Sequence, residues 1–403
     1  MNTKPRISVL IASYCDPELL PTINHCLERA KDPTRIAIGV CHQDVNPIEN
    51  PPSNIRYLFF PFAESKGAGW ARAVTNCFYR GEEFVLQIDS HTRFAPNWDE
   101  VLIAMWNSLN DEKAVLTGYP PEYSPDLPEE KWGYAPLASN VYSFKDGITH
   151  AKPIPFDQLD RPRRAVHVSA GFMFCPGSVI PSVPYDRNIY FLGEEMNMTL
   201  RLYTHGYNLY HPNKVVLYHY YIRPLHERHW DHNEQWMAYN EQSKIRLAGV
   251  LNNDPSIPKA YRLGTARTLE DFKNYAGIDC ARKIIHLDTI AGAEPPIKND
   301  PVKWSYTKRT FSRRMTIPYD SIDMCKDPRF WALIFKDKDD NEVYRLDIEY
   351  KNKEHKKIID GISEEILLEF DYFWPAQTPE TFIIWPYSET KQWLHPTKIK
   401  ISS

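Results

Sequence analysis

The stretch FVLQIDSHTRFAPNWDEVL, residues 84–102, decides the fold class. Phe84 to Asp89 reads as a buried strand that ends in a carboxylate, Ser90 and His91 are exposed after it, and a helical pattern resumes beyond Pro96-Asn97. Working outward, the chain upstream gives ISVLIA at 7–12, a helical pattern around Leu19 to Ala30, IAIGVC at 36–41, IRYLFF at 55–60 and a second helical pattern near Gly69 to Tyr79. Continuous apolar runs separated by helices predict a largely parallel sheet covered on both faces, an α/β architecture of the nucleotide-binding kind. In such open sheets ligands collect beyond the carboxyl ends of the strands. That rule singles out Ser13, Tyr14 and Asp16 after the first strand, His42, Gln43 and Asp44 after the second, and Asp89, Ser90 and His91 after the fourth.

A chain of 403 residues has room for two or three domains. The α/β pattern, with the strand-like VHVSAGFMFCP at 166–176 and a helix opened by GEE at 193–195, supports a first domain over residues 1–245. Residues 246–316 are mixed, with a helical pattern at Thr268 to Tyr275, and read as a connecting segment packed on that domain. From Ile317 the texture changes to alternating aromatic and polar runs, FWALIFKD, EVYRLDIEY, ILLEFDYFW and TFIIWPY. This alternation predicts an antiparallel β-sandwich-like domain over 317–403, its Trp and Tyr residues serving core and interface packing.

The formal charge of −4 provides no global attraction for a polyanion, which disfavours a dedicated nucleic-acid binder. Seven cysteines, an odd number without paired spacing, read as reduced thiols in a reducing compartment. The run Ile7 to Ala12 is too short for a signal-peptide core, and no stretch approaches the ~18 apolar residues of a membrane span. A cytoplasmic protein is expected.

The DSH motif at Asp89 to His91 is the strongest chemical signal. A nucleotide diphosphate leaving group needs a divalent cation to neutralise its growing charge, and a carboxylate and an imidazole at i, i+2 on a strand end can hold one. An isolated DxH more often caps a turn, but here SKGAGWARAVTNCFYRGEE lies just upstream. Its Gly67 and Gly69 allow close backbone approach, and Arg72 opens a helix directed to the same edge.

Together these motifs resemble the GT-A glycosyltransferases. The closer likeness is to the retaining Skp1-type polypeptide N-acetylglucosaminyltransferases, with the mucin-type polypeptide GalNAc-transferases more distant. It covers roughly residues 5–280 and is most specific in GAGWAR at 67–72, QIDSH at 87–91, SAGFMF at 169–174, GEE at 193–195 and LYHYY at 217–221. The resemblance implies a GT-A nucleotide-diphospho-sugar transferase domain that moves a sugar, GlcNAc from UDP-GlcNAc, to a hydroxyl acceptor with Mn²⁺ or Mg²⁺. It implies that Asp89 contacts donor and metal, that His91 is a metal ligand, and that His219 completes the metal site. Ser13, Tyr14 and Arg72 would hold the nucleotide, with Gln43 near the base and Gly67, Gly69 and Ser90 beside it. Glu194 and Glu195 match the acidic pair that meets sugar and acceptor and are the other catalytic candidates. The chain departs from the mucin-type pattern, since it lacks the tryptophan before the glycines and carries a second Glu where Asn is usual there. Sugar choice is therefore open.

HERHWDH at 226–232 sets three imidazoles at i, i+3, i+6, which is not the HExxH spacing of zinc proteases. With no cysteine close in sequence it reads as a solvated, phosphate-facing loop rather than a zinc site. In the families it resembles this region is a mobile loop over the donor, which implies that Arg223, Arg228 and Trp230 touch the diphosphate when it closes. The acceptor stays open among a protein hydroxyl, a glycan and hydroxymethylated nucleic acid, and oligomeric state is not fixed. Two rival readings are an inverting transferase, with a base opposite the departing group, and a non-catalytic glycan- or protein-binding module on the same scaffold. The module would lack both donor hydrolysis and metal-dependent UDP binding.

Overall fold

The computed structural model describes residues 6–401 except 53–54, 158–159, 222–226, 305–306, 339 and 375–376. The chain divides into two compact units, one ending at Asn299 and the other beginning at Asp300. The strands of the first unit are β1 Ile7–Tyr14, β2 Ile36–Asp44, β3 Ile55–Pro61, β4 Phe84–Asp89, β5 Thr92–Phe94, β6 Ala114–Thr117, β7 Leu137–Lys145, β8 Ile148–Pro155, β9 Arg163–Arg164, β10 Phe172–Pro176, β11 Asn208–His211 and β12 Leu217–His219, with a two-residue pair at Ile278–Asp279 and Ile284–Ile285. Its helices are α1 Leu19–Arg29, α2 Ala68–Thr75, α3 Trp98–Ser108, the short α4 Val179–Ser182, α5 Glu194–Thr204, the single turn α6 His229–His232, α7 Trp236–Leu251 and α8 Leu269–Ala276, with another short turn at Leu287–Ile290.

Eight strands form one sheet in the order β3-β2-β1-β4-β10-β6-β11-β9. The first four are parallel, as expected from their continuous apolar runs, and every residue of β4 before Asp89 is buried. Register sets Ala12 opposite Asp89 and Tyr14 opposite Gln43, so the predicted strand-end residues share one edge. Beyond β4 the sheet becomes mixed, because β10 runs antiparallel to both β4 and β6. The expectation of a largely parallel sheet thus holds for its first half only. Within 166–176 only Phe172–Pro176 is a strand. The backbone N–H groups of Val168, Ser169 and Ala170 donate instead to side chains, Thr199 Oγ1 at 2.9 Å, Thr117 Oγ1 at 2.9 Å and Glu195 Oε1 at 2.8 Å. A backbone whose donors are taken by side chains cannot also pair with a neighbouring strand.

Alternation along β1 serves both faces of the sheet. Ile7, Val9 and Ile11 face a core with Leu19 and Ile23 of α1 and Trp98 and Leu102 of α3, whereas Leu10 packs with Val85, Met198 and Leu202. Helix α1 buries Leu19, Thr22, Ile23 and Cys26, the i, i+3, i+4, i+7 stripe of a helix lying on a sheet. A third cluster joins Met196, Leu200 and Tyr203 of α5 to Leu247 of α7, Phe272 of α8 and Val141 and Ile148 of the β7–β8 hairpin. Helix α8 starts with a capping box, Thr268 accepting from the Asp271 N–H.

In the second unit, Thr307–Thr316 pairs antiparallel with Glu365–Trp374 along its whole length. A five-stranded antiparallel sheet is built from Pro328–Lys336, Glu342–Glu349, Thr381–Ser388 and two short strands. Leu368 and Phe370 of the pair share a core with Trp331, Leu333, Phe335, Phe382 and Ile384 of the sheet, the predicted antiparallel, sandwich-like arrangement.

Candidate active site

Helix α1 fixes the turn that follows β4. Thr22 Oγ1 donates to the Ser90 carbonyl at 2.7 Å and accepts from the Thr92 N–H at 3.0 Å, holding residues 90–92 in place. Asp16, just past β1, reinforces the turn: its Oδ2 accepts from Ser90 Oγ at 2.6 Å and lies 2.7 Å from His91 Nδ1. That contact leaves His91 Nε2 facing Asp89 Oδ2 at 3.9 Å. A carboxylate behind a histidine is the usual device for fixing tautomer and ring orientation in a metal ligand.

His219 arrives from elsewhere in the chain. β12 pairs with β5 so that His219 lies opposite Thr92, and its Nε2 sits 3.0 Å from Asp89 Oδ2. One ligand atom each from Asp89, His91 and His219 thus fall within 4.8 Å of one another. Burial works to raise the Asp89 carboxyl, but the His219 hydrogen bond and the Arg72 guanidinium outweigh it and hold the group well below the usual carboxylate range. The donor set, an ionised carboxylate with two imidazoles, suits a divalent metal.

Arg72 is not a surface residue. Its side chain is 8% exposed and spans the site: Nη2 donates to Asp89 Oδ1 at 2.9 Å, Nη1 donates to the Ala170 carbonyl, and Nε lies 3.6 Å from Glu194 Oε2. Helix α5 opens on Gly193 in the left-handed region at φ 87°, which turns Glu194 and Glu195 in toward the site. Burial raises the Glu194 carboxyl, with Arg72 opposing and Asp89 adding to the rise. Burial also pushes Glu195 up to about 7, against the pull of the Ala170 N–H.

These groups separate two adjoining cavities that share Arg72, Asp89, Phe191 and His219. The first, about 320 Å³, is lined by Ser13, Tyr14, Gln43, Ser90 and His91 from the strand ends, by Gly67 just before α2, and by Arg228, His229 and Trp230. The second, about 350 Å³, is lined by Glu194 and Glu195, by Tyr119 and Tyr221, and by Ile148 to Ala151 of the β7–β8 hairpin.

Most of the expected site residues meet here, though some in supporting positions. Gln43 has both ends of its amide engaged, donating to the Ser13 carbonyl at 2.9 Å and accepting from Ser65 Oγ at 2.7 Å. Ser90 uses its hydroxyl on Asp16. Gly69 is absent from the cavity lining: a Cβ there would stand 2.1 Å from the Ile189 carbonyl oxygen, so its lack of a side chain serves helix-to-loop packing. Gly67, at φ +91°, lines the cavity and also packs on Tyr190. Arg223 and His226 lie outside the described residues. The rest of the histidine cluster forms one helical turn in which His229 and His232 serve different partners. His229 Nδ1 lies 2.7 Å from the Tyr190 hydroxyl, and His232 Nδ1 lies 3.0 Å from the Tyr14 hydroxyl.

Asp16 was visible as a strand-end residue without a role, whereas Gly171 carried no signal beyond its place in SAGFMF. A Cβ on Gly171 would stand 2.8 Å from Asp89 Oδ2 and 3.7 Å from His219 Cδ2. Gly171→Ala is therefore expected to displace the carboxylate and, if this cluster holds a divalent metal, to weaken that binding about 10–100-fold with little loss of stability. Calorimetric Mn²⁺ titration beside a melting curve checks this, and unchanged affinity would place the metal elsewhere.

Glu195 gives a pH prediction. The folded state holds its proton more tightly than the unfolded chain, whose value is near 4.5. The group therefore favours folding most at low pH, and that contribution is lost as pH climbs to about 7. Relative to Glu195→Gln, the wild type should lose stability across that window and run parallel above it. Urea midpoints that track each other throughout would show that the carboxyl titrates normally.

The α/β sheet sets an acidic and histidine cluster at its carboxyl edge between two cavities, and the chain is a glycosyltransferase by family. The chain belongs to the Glycosyltransferase (GlcNAc) family, whose model matches residues 6–54 and 49–282. No curated protein matches it in sequence. Among solved structures it is similar to GalNAc-T7 with UDP, GalNAc and Mn²⁺, at 14% identity and a TM-score of 0.44, covering 68% of this chain and 54% of that one. It is also similar to S. aureus TarS 1–349 in complex with UDP-GlcNAc, at 13% identity and a TM-score of 0.40, covering 64% and 69% respectively. The match to GalNAc-T7 thus spans about half of that chain. No helix among the described residues is long and apolar enough to cross a membrane.

Proposed function

We propose that this glycosyltransferase is metal-dependent and retaining, and that it moves GlcNAc from UDP-GlcNAc to a hydroxyl acceptor. The observation that carries this reading is the shared wall of the two cavities, where Asp89, His219 and Arg72 meet. In this reading Ser13, Tyr14 and Gly67 hold the nucleotide in the first cavity, and the sugar crosses the wall into the second. Asp89, His91 and His219 would hold Mn²⁺ or Mg²⁺. The metal supplies charge neutralisation at the diphosphate.

The chain's own residues do the rest. Asp16 orients His91, and Arg72 holds the Asp89 carboxylate in one rotamer. Glu194 lies 3.6 Å from Arg72 Nε and Glu195 accepts from the Ala170 N–H at 2.8 Å, and as adjacent residues at a helix start they cannot both point at one carbon. A front-face route fits this arrangement. The bond from the anomeric carbon to the phosphate oxygen breaks, the acceptor oxygen bonds to the same face, and the acceptor proton passes to the departing phosphate oxygen. Glu195 orients the sugar or the acceptor.

The test is UDP release from a panel of UDP-sugars with and without Mn²⁺, followed by the anomeric coupling of the transferred sugar. Mn²⁺-dependent release that is fastest with UDP-GlcNAc, and an α-linked product, are expected. A β-linked product would overturn retention, and absence of release from every donor would favour a non-catalytic binding module.

A further inference from the structure

A second group of potential ligands lies beside the first cavity, away from Asp89. Cys15 sits just past β1 with φ 43°, a left-handed conformation that a residue with a Cβ seldom adopts. Its N–H donates to the Gln43 carbonyl at 2.8 Å, which fixes the turn. Glu227 precedes α6 and His232 is its last residue, and one ligand atom from each falls with the Cys15 sulfur inside a 4.8 Å group. His232 is oriented from both sides of its ring: Nδ1 lies 3.0 Å from the Tyr14 hydroxyl, while Nε2 lies 3.3 Å from Glu227 Oε2.

Zinc bonds of about 2.0–2.3 Å set ligand atoms roughly 3.3–3.6 Å apart around a tetrahedron, so the histidine–glutamate spacing already fits. Thiolate, imidazole and carboxylate together select a thiophilic ion over Mg²⁺ or Mn²⁺. The Tyr14 hydroxyl stands where an oxygen behind a histidine ligand is needed, ready to accept from Nδ1–H once Nε2 binds metal. Three protein ligands leave a fourth position for water.

We propose that Cys15, Glu227 and His232 form a second metal site that takes Zn²⁺ and, when filled, pins the Glu227–His232 segment to the end of β1. That segment carries Arg228, His229 and Trp230, which wall the first cavity. Filling the site releases the Cys15 thiol proton as the sulfur–zinc bond forms. It also holds that wall in place, so zinc slows exchange of nucleotide. The effect on turnover rests on reading this cavity as the donor site; the metal site itself does not.

Co²⁺ is the probe, because a thiolate-to-cobalt charge-transfer band reports sulfur ligation and the Asp89 cluster contains no sulfur. The wild type is expected to show the band and to lose it when Zn²⁺ is added. Cys15→Ser should abolish it, and His232→Ala should weaken Co²⁺ binding at least about 10-fold. A band that survives in Cys15→Ser would come from another thiol, such as the exposed Cys77, and would overturn the site. So would absence of a band in the wild type. In a UDP-release assay with saturating Mn²⁺, Zn²⁺ competes at the Asp89 cluster of both proteins, so the pinning is read as the additional slowing that micromolar Zn²⁺ causes in the wild type over Cys15→Ser. Equal zinc sensitivity in both would overturn the pinning. If no donor is turned over at all, the cobalt spectrum still decides whether the site exists.

Discussion

Asp89→Asn is expected to lower Mn²⁺-dependent UDP release by roughly 10²–10³-fold, the loss typical of removing one preorganised electrostatic group from a transition state. The substitution keeps size and shape but removes the negative charge on which His219, His91 and Arg72 converge. Asn can still accept from Arg72, and Glu194 remains as a countercharge to it, so the fold should melt close to the wild type. Mn²⁺ affinity should fall with the rate. Initial rates beside calorimetric Mn²⁺ binding check both halves, and wild-type turnover would remove Asp89 from the site. A loss of rate at unchanged Mn²⁺ affinity would instead assign Asp89 to the donor alone.

Arg72→Met is expected to cost about 3–5 kcal/mol of stability, because removing one member of a buried ion pair leaves an uncompensated charge. Glu194 is 7% exposed, and without Arg72 its carboxylate would face Asp89 with no cation between them. The loss should shrink on acidification. Burial already raises the Glu194 carboxyl, and a protonated Glu194 needs no countercharge. Urea unfolding of both proteins near pH 5 and near pH 8, about a unit above and well above the ordinary Glu value, measures the trend. A loss below about 1 kcal/mol that does not change with pH would mean that Arg72 behaves like an exposed ion-pair partner. Metal binding should weaken as well, since Asp89 loses the donor that holds its rotamer.

The sequence by itself determined the local elements and the edge on which chemistry is placed. The apolar run ending at Asp89, the parallel strands before it, the helix opening at GEE and the antiparallel texture of the C-terminal unit all follow from periodicity, which records how each residue is buried. It did not report that β10 reverses direction, because a short apolar strand reads the same in either orientation. Nor did it give reasons for individual polar groups. His219 is 130 residues from Asp89 and reaches it only because β12 pairs with β5. Asp16 turns His91, Gly171 makes room for the carboxylate, and Arg72, expected to open a helix, lies instead in the last turn of α2 and is buried there. In sequence the histidines of HERHWDH have no cysteine near them, yet the fold sets Cys15 beside His232. Contacts between polar side chains far apart in the chain depend on how strands and loops pack, and no spacing along the chain encodes that. Only the tertiary structure could decide which histidine faces which ligand.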